Sequence, residues 1–424
     1  MLPICQRNAE KRYITAILSL GTLIEWAEYT FYGYMAITLS SLFFPESSPG
    51  IGILKTYGIF AIGYILRPVG AIFFGHIGDS FGRKPALMGS LFLMGAATFG
   101  IGCLPTYATI GALAPLLLLI LRMFQGIAVS GEYNGAAIFL IEKTGSKHPT
   151  LAGSWIGAAA AGGMVLGGLA AFCTTLPAAP VWAWRIPFML GGLACLIGMV
   201  LRRTVSESPL LLEKIKRTEI PFIAIWKNHK KSLLITASIA AFTGVFVYIG
   251  NIYMMAFLKQ EAGLSTHLAS FFAIFGEVIV MVLIPLMAVV ADLTNPYRQY
   301  LLGLALVAIG APLIFILSAT GYYPFIFVAM ILYGITNGIV CAPMMKILYD
   351  LFPPEIRYTG ISFAYSVSVA IFGGSAPMVA QYLSLTYQAP LIPSLYVSVI
   401  ALITFFICFI FREENLCVPL KSSA

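Results

Sequence analysis

Twelve apolar stretches, each long enough to cross a bilayer as a helix, follow one another along these 424 residues with short polar turns between them. A hydrocarbon layer about 30 Å thick takes roughly 20 helical residues to span. A backbone inside it must satisfy its own N–H and C=O groups, which confines such a chain to a bundle of helices. The stretches fall at about 13–43, 55–77, 85–104, 114–141, 150–174, 185–203, 232–258, 266–291, 299–318, 322–350, 358–385 and 391–411. Several are longer than the layer requires, which predicts tilt, or kinks at Pro68, Pro285 and Pro343. With 59% hydrophobic and 10% charged residues and a mean hydropathy of +0.92, a soluble domain of this size is excluded.

Lys and Arg are retained on the cytoplasmic side of a membrane. With the N-terminus inside, most of the 25 Lys and Arg fall in inner segments, among them Arg7, Lys11, Arg12, Lys143, Lys147, Arg202, Arg203 and Arg298. Both termini are therefore expected in the cytoplasm. The net charge of +8 follows from this topology and requires no nucleic-acid partner. The first stretch is too long for a signal peptide and lacks an Ala-x-Ala site, so it reads as a retained helix. Seven scattered cysteines without a Cys-x-x-Cys pair read as apolar fillers, not as a disulfide or zinc framework.

The longest polar interruption, 204–231, divides the stretches six and six. The expected organisation is a first half (1–203), a cytoplasmic linker (204–231), a second half (232–411) and a short tail (412–424). A faint repeat supports this: Asp292 through Arg298 sets an acid and then a base after the eighth stretch, as Asp79, Arg83 and Lys84 do after the second. In that earlier turn, Gly75, Gly78 and Gly82 break helix between unlike charges, which suits a short loop that locks and unlocks as helices move.

Ionisable side chains at membrane depth cost free energy and commonly face a cavity or a partner. The candidates are Glu25 and Glu28 in the first stretch, Arg67, Arg122, Glu132, Glu277 and Lys346. Glu25 and Glu28, three positions apart, lie on nearly one helical face among aromatic residues. Two carboxylates there cannot both ionise cheaply, so one is a candidate proton carrier; the alternative is that one simply pairs with Arg67 as a static brace. Arg122 and Gln125, one turn apart, can present a donor fork and an amide to a carboxylate; the alternative is an internal Arg–Glu lattice holding helices together. In the fifth stretch Gly153, Gly157, Gly163 and Gly167 read as packing surface, with Trp155 the one candidate ligand contact. Glu277 and Lys346 either set substrate choice or form one salt bridge. Trp26, Tyr29, Trp155, Tyr248 and Tyr253 could build an aromatic cage for a quaternary ammonium.

Several motifs together resemble the major facilitator superfamily and, within it, the metabolite:proton symporter family. They are Glu25-Trp26-Ala27-Glu28-Tyr29, Arg67-Pro68-Val69-Gly70, the turn from Gly75 to Lys84, Arg122-x-x-Gln125-Gly126 through Gly131-Glu132-Tyr133, Trp184-Arg185-Ile186-Pro187-Phe188, and Phe352-Pro353 through Arg357-Tyr358. That family takes up solutes such as proline/betaine, citrate, alpha-ketoglutarate and shikimate. The resemblance implies an all-α membrane fold of twelve transmembrane helices in two pseudo-symmetric six-helix halves. It implies proton coupling at Glu28 and Glu132 and a conformational latch of Asp79, Arg83 and Lys84; Glu25 is a further candidate for proton coupling, and Gly75, Gly82 and Arg357 complete the candidate latch. Position 28 is Glu where the family is expected to have Asp, and position 130 is Ser where Gly is common. The chain stops at Ala424 without the heptad tail of osmosensing porters, so gating by such a tail is not expected.

The expected function is proton-coupled import of a small carboxylate-bearing metabolite by alternating access. Arg67, Arg122 and Lys346 favour an organic acid, with an amino-acid-like zwitterion such as proline or betaine as the close alternative; Gln125, Trp155, Tyr248 and Glu277 complete the candidate substrate contacts. Export of a drug or siderophore on the same fold, or a solute receptor without transport, are the rival readings. No phosphate-binding loop, metal-spaced cluster or nucleophile–base pair points to an enzyme. The expected energy source is the proton gradient, without a cofactor or nucleotide. The partners are then solute, protons and lipid, for a monomer in a bacterial inner membrane.

Overall fold

The computed structural model describes residues 4–45, 48–70, 73–74, 83–128, 132–144, 147–176, 178–202, 226, 228–353 and 356–411. Most of the expected linker, the tail and the turn 75–82 lie outside these residues, and with them Gly75, Asp79 and Gly82. No strand occurs among the described residues.

Over its described residues, each of the twelve apolar stretches is helical. The first span is Ile4–Tyr34 followed by Ala36–Phe43; the second is Pro49–Ile65, running on to Gly70; the third is Arg83–Cys103. The fourth comprises Leu113–Ala128 and Glu132–Thr144, the fifth is Pro149–Thr174 and the sixth Arg185–Arg202. The seventh runs Lys230–Tyr248, through a π turn at Ile249–Tyr253, to Met254–Gln260. The eighth, ninth and tenth are Thr266–Leu293, Pro296–Ala319 and Tyr323–Asp350. The eleventh runs Arg357–Ser368, through a π turn at Val369–Gly373, to Ala376–Tyr387, and the twelfth is Ile392–Ile410. Nine of these are long and apolar enough by themselves to cross a membrane. The first helix begins nine residues before its apolar run, because backbone hydrogen bonds continue through Arg7, Lys11 and Arg12 into the polar zone where hydropathy gives no signal.

Helix packing follows the small residues. The second and fourth spans approach so closely at Gly63 and Gly126 that a Cβ on Gly126 would fall inside the Gly63 carbonyl. On the fifth span, a Cβ on Gly163 would stand 2.6 Å from the Leu23 carbonyl and 2.8 Å from the Ala27 nitrogen of the first. Lipid gives no hydrophobic drive for helix association, so close backbone contact of this kind supplies it through dispersion. The fifth span packs against both the first and the eighth, the third against the sixth, and the seventh against the eleventh. Leucine, isoleucine and phenylalanine side chains such as Leu286, Ile309, Phe406 and Ile410 stay exposed on the outer wall, as a lipid-facing surface requires.

Only one of the irregularities sits where the prolines predict it, next to Pro68. Pro285 and Pro343 lie within unbroken helices, as does Pro312. The second span is interrupted at Leu66, just before Pro68. The other departures, at Met35 and in the two π turns, contain no proline. A π turn inserts one residue into the α-helical ladder and redirects the side chains around it, a device found mostly at functional sites.

Candidate functional site

A central cavity enclosing about 910 Å³, its open mouth included, lies between the first, second, fourth and fifth spans on one side and the seventh, eighth, tenth and eleventh on the other. Glu25 and Trp26, Arg67, Tyr133 and Asn134, and Gly157 and Met164 line the first side. Thr243 and Tyr248, Glu277, Asn337 and Cys341, and Tyr365 line the second. Arg67 is the one basic side chain among the described lining residues.

Aromatic rings form much of the wall. Trp26 meets Tyr133 edge-on at 5.6 Å between centroids and Tyr248 at 6.3 Å, while Tyr133 faces Tyr365 at 6.1 Å. Behind them, Tyr64 packs on Tyr248 at 5.4 Å and carries the Arg67 guanidinium 4.0 Å above its ring. Stacking on a ring face fixes the guanidinium plane, so Arg67 presents a fork of donors in a defined direction.

The two carboxylates of the first span diverge. Glu25 lines the cavity, whereas Glu28 turns between the third and sixth spans, where the Cys195 thiol lies 2.9 Å from one carboxyl oxygen and the Thr98 hydroxyl 3.3 Å from the other. An offset of three positions turns a helix by about 300°, and at this depth the remaining 60° places one carboxyl in the cavity and the other inside the bundle. Thr98 also accepts from Gln125 Nε2 at 2.7 Å, and Gln125 Oε1 accepts from Arg122 Nη1 at 2.6 Å. The Arg122 guanidinium lies 4.4 Å from the centre of the Tyr32 ring and 5.2 Å from that of Phe60. Arg122 and Gln125 have no exposed surface and do not line the cavity, so this geometry favours the bracing role over direct presentation to a ligand.

Two expected contacts are corrected. Trp155 does not line the cavity; it is 44% exposed on another face of the fifth span, while Gly157, Ala160, Ala161 and Met164 of that span line the site. Gly157 is thus lining as well as packing surface. Lys346 is paired with Asp350 one turn on, near the end of the tenth span, and reaches neither the cavity nor Glu277. The apolar stretch 322–350 places it at membrane depth, but the acid that neutralises it, Asp350, is the last residue of that stretch, where the helix ends.

Contacts join the two sides of the cavity at both ends. At one end the Tyr57 hydroxyl of the second span donates to the Ile252 carbonyl of the seventh at 3.2 Å. At the other, the end expected to face the cytoplasm, both carboxylate oxygens of Asp292 accept backbone N–H groups at the start of the fifth span, Thr150 at 2.9 Å and Leu151 at 3.0 Å. There too, Arg357 lies 3.5 Å from Glu142 and donates to the Tyr349 and Phe352 carbonyls at 2.8 and 3.1 Å. Arg83 and Lys84 open the third span, and Glu132 opens the second helix of the fourth; their side chains lie outside the described residues, as does that of Tyr29. Residues that sequence reasoning passed over are Tyr133, Tyr365, Asn337 and the clamp formed by Asp292. The signal for Asp292 was its place in the faint repeat; for Asn337 it was an amide in the middle of an apolar run.

The family profile described as Major Facilitator Superfamily matches residues 18–377 and 278–416. Among curated proteins, the chain is 31% identical to the glycine betaine/proline/ectoine/pipecolic acid transporter OusA of Dickeya dadantii, over 97% of this chain and 85% of that one. It is 32% identical to the inner membrane metabolite transport protein YhjE of Escherichia coli, over 90% and 89% of the two chains. Among solved structures, the D-xylose–proton symporter superposes with a TM-score of 0.76 at 18% identity, covering 95% of this chain and 98% of that one.

Proposed function

Because this chain belongs to the major facilitator superfamily, a family of multi-pass membrane transporters and not of enzymes, we propose that it imports a small zwitterion, carboxylate at one end and cationic nitrogen at the other, with a proton. The observation that carries this reading is the composition of the cavity: one guanidinium, the carboxylates Glu25 and Glu277, and a wall of aromatic rings. A cavity for a di- or tricarboxylate would collect cations, but two of the three expected, Arg122 and Lys346, lie away from it. Arg67 suits a single carboxylate, accepted by its fork of donors. Trp26, Tyr133, Tyr248 and Tyr365 suit a cationic nitrogen through the negative faces of their rings. The printed substrates of OusA, glycine betaine, proline, ectoine and pipecolic acid, have this chemistry.

Alternating access moves the solute: the contacts at one end of the cavity break as those at the other form. Glu28, Glu25 and Glu132 are the carboxylates proposed to take a proton. Glu28 is the first choice, because its hydrogen-bond partners among the described residues are a thiol and a hydroxyl and not a cation. The same reading places the protein in a bacterial inner membrane, powered by the proton gradient without a cofactor. Uptake of labelled proline, glycine betaine, citrate and alpha-ketoglutarate into proteoliposomes, with and without an inward proton gradient, tests it alongside Glu28→Gln and Glu132→Gln. Gradient-driven accumulation of a zwitterion, replaced by gradient-independent exchange in one of the variants, is expected. Accumulation of citrate alone, or uptake indifferent to the gradient, would refute it.

A further inference from the structure

One polar cluster in the cavity wall has acceptors that no donor among the described residues fills. Glu277 of the eighth span, Tyr333 and Asn337 of the tenth and Asn251 of the seventh are each no more than 1% exposed. Asn251 belongs to the π turn Ile249–Tyr253, the irregularity that brings an amide to this point of the bundle. The Tyr333 hydroxyl is the hub. It accepts Nδ2–H of Asn251 at 2.9 Å and of Asn337 at 2.8 Å, and lies 3.5 Å from Glu277 Oε1. A phenol oxygen that accepts twice has its lone pairs occupied, so its own proton is directed to the carboxylate.

What remains is all of one kind. Glu277 Oε2, Asn337 Oδ1 and Asn251 Oδ1 are buried without a hydrogen-bond partner among the described residues. Burying an acceptor without a donor opposes stability, and three in one cluster call for an occupant that brings donors. Glu277 and Asn337 line the central cavity, so the occupant can arrive from there. A metal ion with oxygen ligands typically takes six or more, which three free oxygens do not provide. A primary or secondary ammonium carries a positive charge and two or three N–H donors, and so matches a carboxylate flanked by amide oxygens.

We propose that Glu277, Asn337 and Asn251, organised around Tyr333, bind the N–H groups of the solute's ammonium end, so that the transporter selects zwitterionic primary or secondary amines over their fully N-methylated counterparts. This rests on the zwitterion reading above and adds to it a discrimination that the aromatic rings alone do not make, since a ring face attracts either kind of cation. A quaternary ammonium would leave the three acceptors empty, and sites built to hydrogen-bond a polar group reject analogues that lack it.

The test is equilibrium binding of labelled L-proline, N-methyl-L-proline and N,N-dimethyl-L-proline to the full chain in lipid nanodiscs, a series that holds the ring and carboxylate constant while removing N–H groups. The expected affinity falls with each methyl, by at least tenfold between the ends of the series, and in Glu277→Gln that ratio falls below threefold. A wild type that binds the dimethyl compound as tightly as proline overturns the inference, whether or not the variant folds. A folded Glu277→Gln that keeps the wild-type ratio also overturns it. So does sodium-dependent binding of all three that is lost in the variant, since it would put a metal ion in the cluster. If the folded wild type binds none of the three, the zwitterion reading itself fails; equal binding of all three removes only the present inference.

Discussion

Arg67 and Arg122 are chemically identical, and their surroundings assign them different work. Arg122 is wholly enclosed by Gln125, Tyr32 and Phe60, whereas Arg67 is held on Tyr64 at the cavity wall. Removing Arg67 as Arg67→Gln forfeits a charge-assisted contact of about 1.5–3 kcal/mol, roughly 10- to 100-fold in apparent affinity. Arg122→Gln breaks a buried hydrogen-bond network and leaves Gln125 unsatisfied, which costs about 1–3 kcal/mol of stability, and should appear first as a lowered melting temperature of the purified protein. Uptake kinetics and melting curves of the two variants, taken side by side, check the assignment; equal effects on both readouts would contradict it. Trp155→Ala and Lys346→Ala should leave uptake within about twofold of wild type, because neither side chain reaches the cavity. The sequence made these residues visible as charges or rings at membrane depth but could not rank them. Hydropathy reports depth along a helix, while function depends on azimuth, and only packed neighbours fix azimuth. Glu25 and Glu28 show this most clearly, adjacent in sequence and separated into two compartments by 60° of rotation.

Helices, by contrast, announce themselves. The requirement that each backbone polar group be satisfied inside the segment makes the apolar run itself the signal, and all twelve runs are helical over their described residues. What the runs do not carry is the irregularity within them, since the π turns at 249–253 and 369–373 are composed of ordinary apolar residues, glycine and one asparagine. At the second of them a neighbouring helix comes close: a Cβ on Gly244 of the seventh span would stand 2.7 Å from the Gly373 Cα of the eleventh. Glycine contacts of this kind are testable at helix level. Gly126→Ala would drive a methyl group into the Gly63 backbone, which cannot yield as a side chain can, and should cost about 1–3 kcal/mol or prevent assembly. Gly58→Ala meets only the Met378 sulfur at 3.8 Å and serves as the tolerated control in the same chromatographic stability assay. The Asp292 clamp belongs to this scale as well, a carboxylate on the positive end of the fifth helix. Asp292→Asn exchanges one acceptor for a donor facing an N–H, a loss of about 1.5–3 kcal/mol. Spin labels at Lys147 and Leu293 should then report a longer distance population at that end, and an unchanged distribution would show that the clamp does not hold the two spans together.

For the whole molecule, the telling arrangement is that the cavity is bridged at both ends. Tyr57 to Ile252 bridges one, and Asp292 to the start of the fifth span, with Arg357 to Glu142, bridges the other. Neither set contains the residues that face the solute, so binding and access are physically separate, and a solute acts on the ends only by favouring one arrangement of the helices over another. The half-buried thiol of Cys341 sits between the two ends on the cavity wall and gives a native reporter of occupancy. Cys103, near the end of the third span, is exposed and remote from the cavity and provides the internal standard. With saturating solute, alkylation of Cys341 by a small permeant thiol reagent should slow by at least threefold while Cys103 reacts at its unliganded rate, both followed by peptide mass spectrometry. The protection should disappear in Arg67→Gln at the same solute concentration, because the solute is no longer held. Equal slowing of both thiols would mean that the bound solute tightens the whole bundle without occupying this cavity, and the site would then have to be sought elsewhere among the helices.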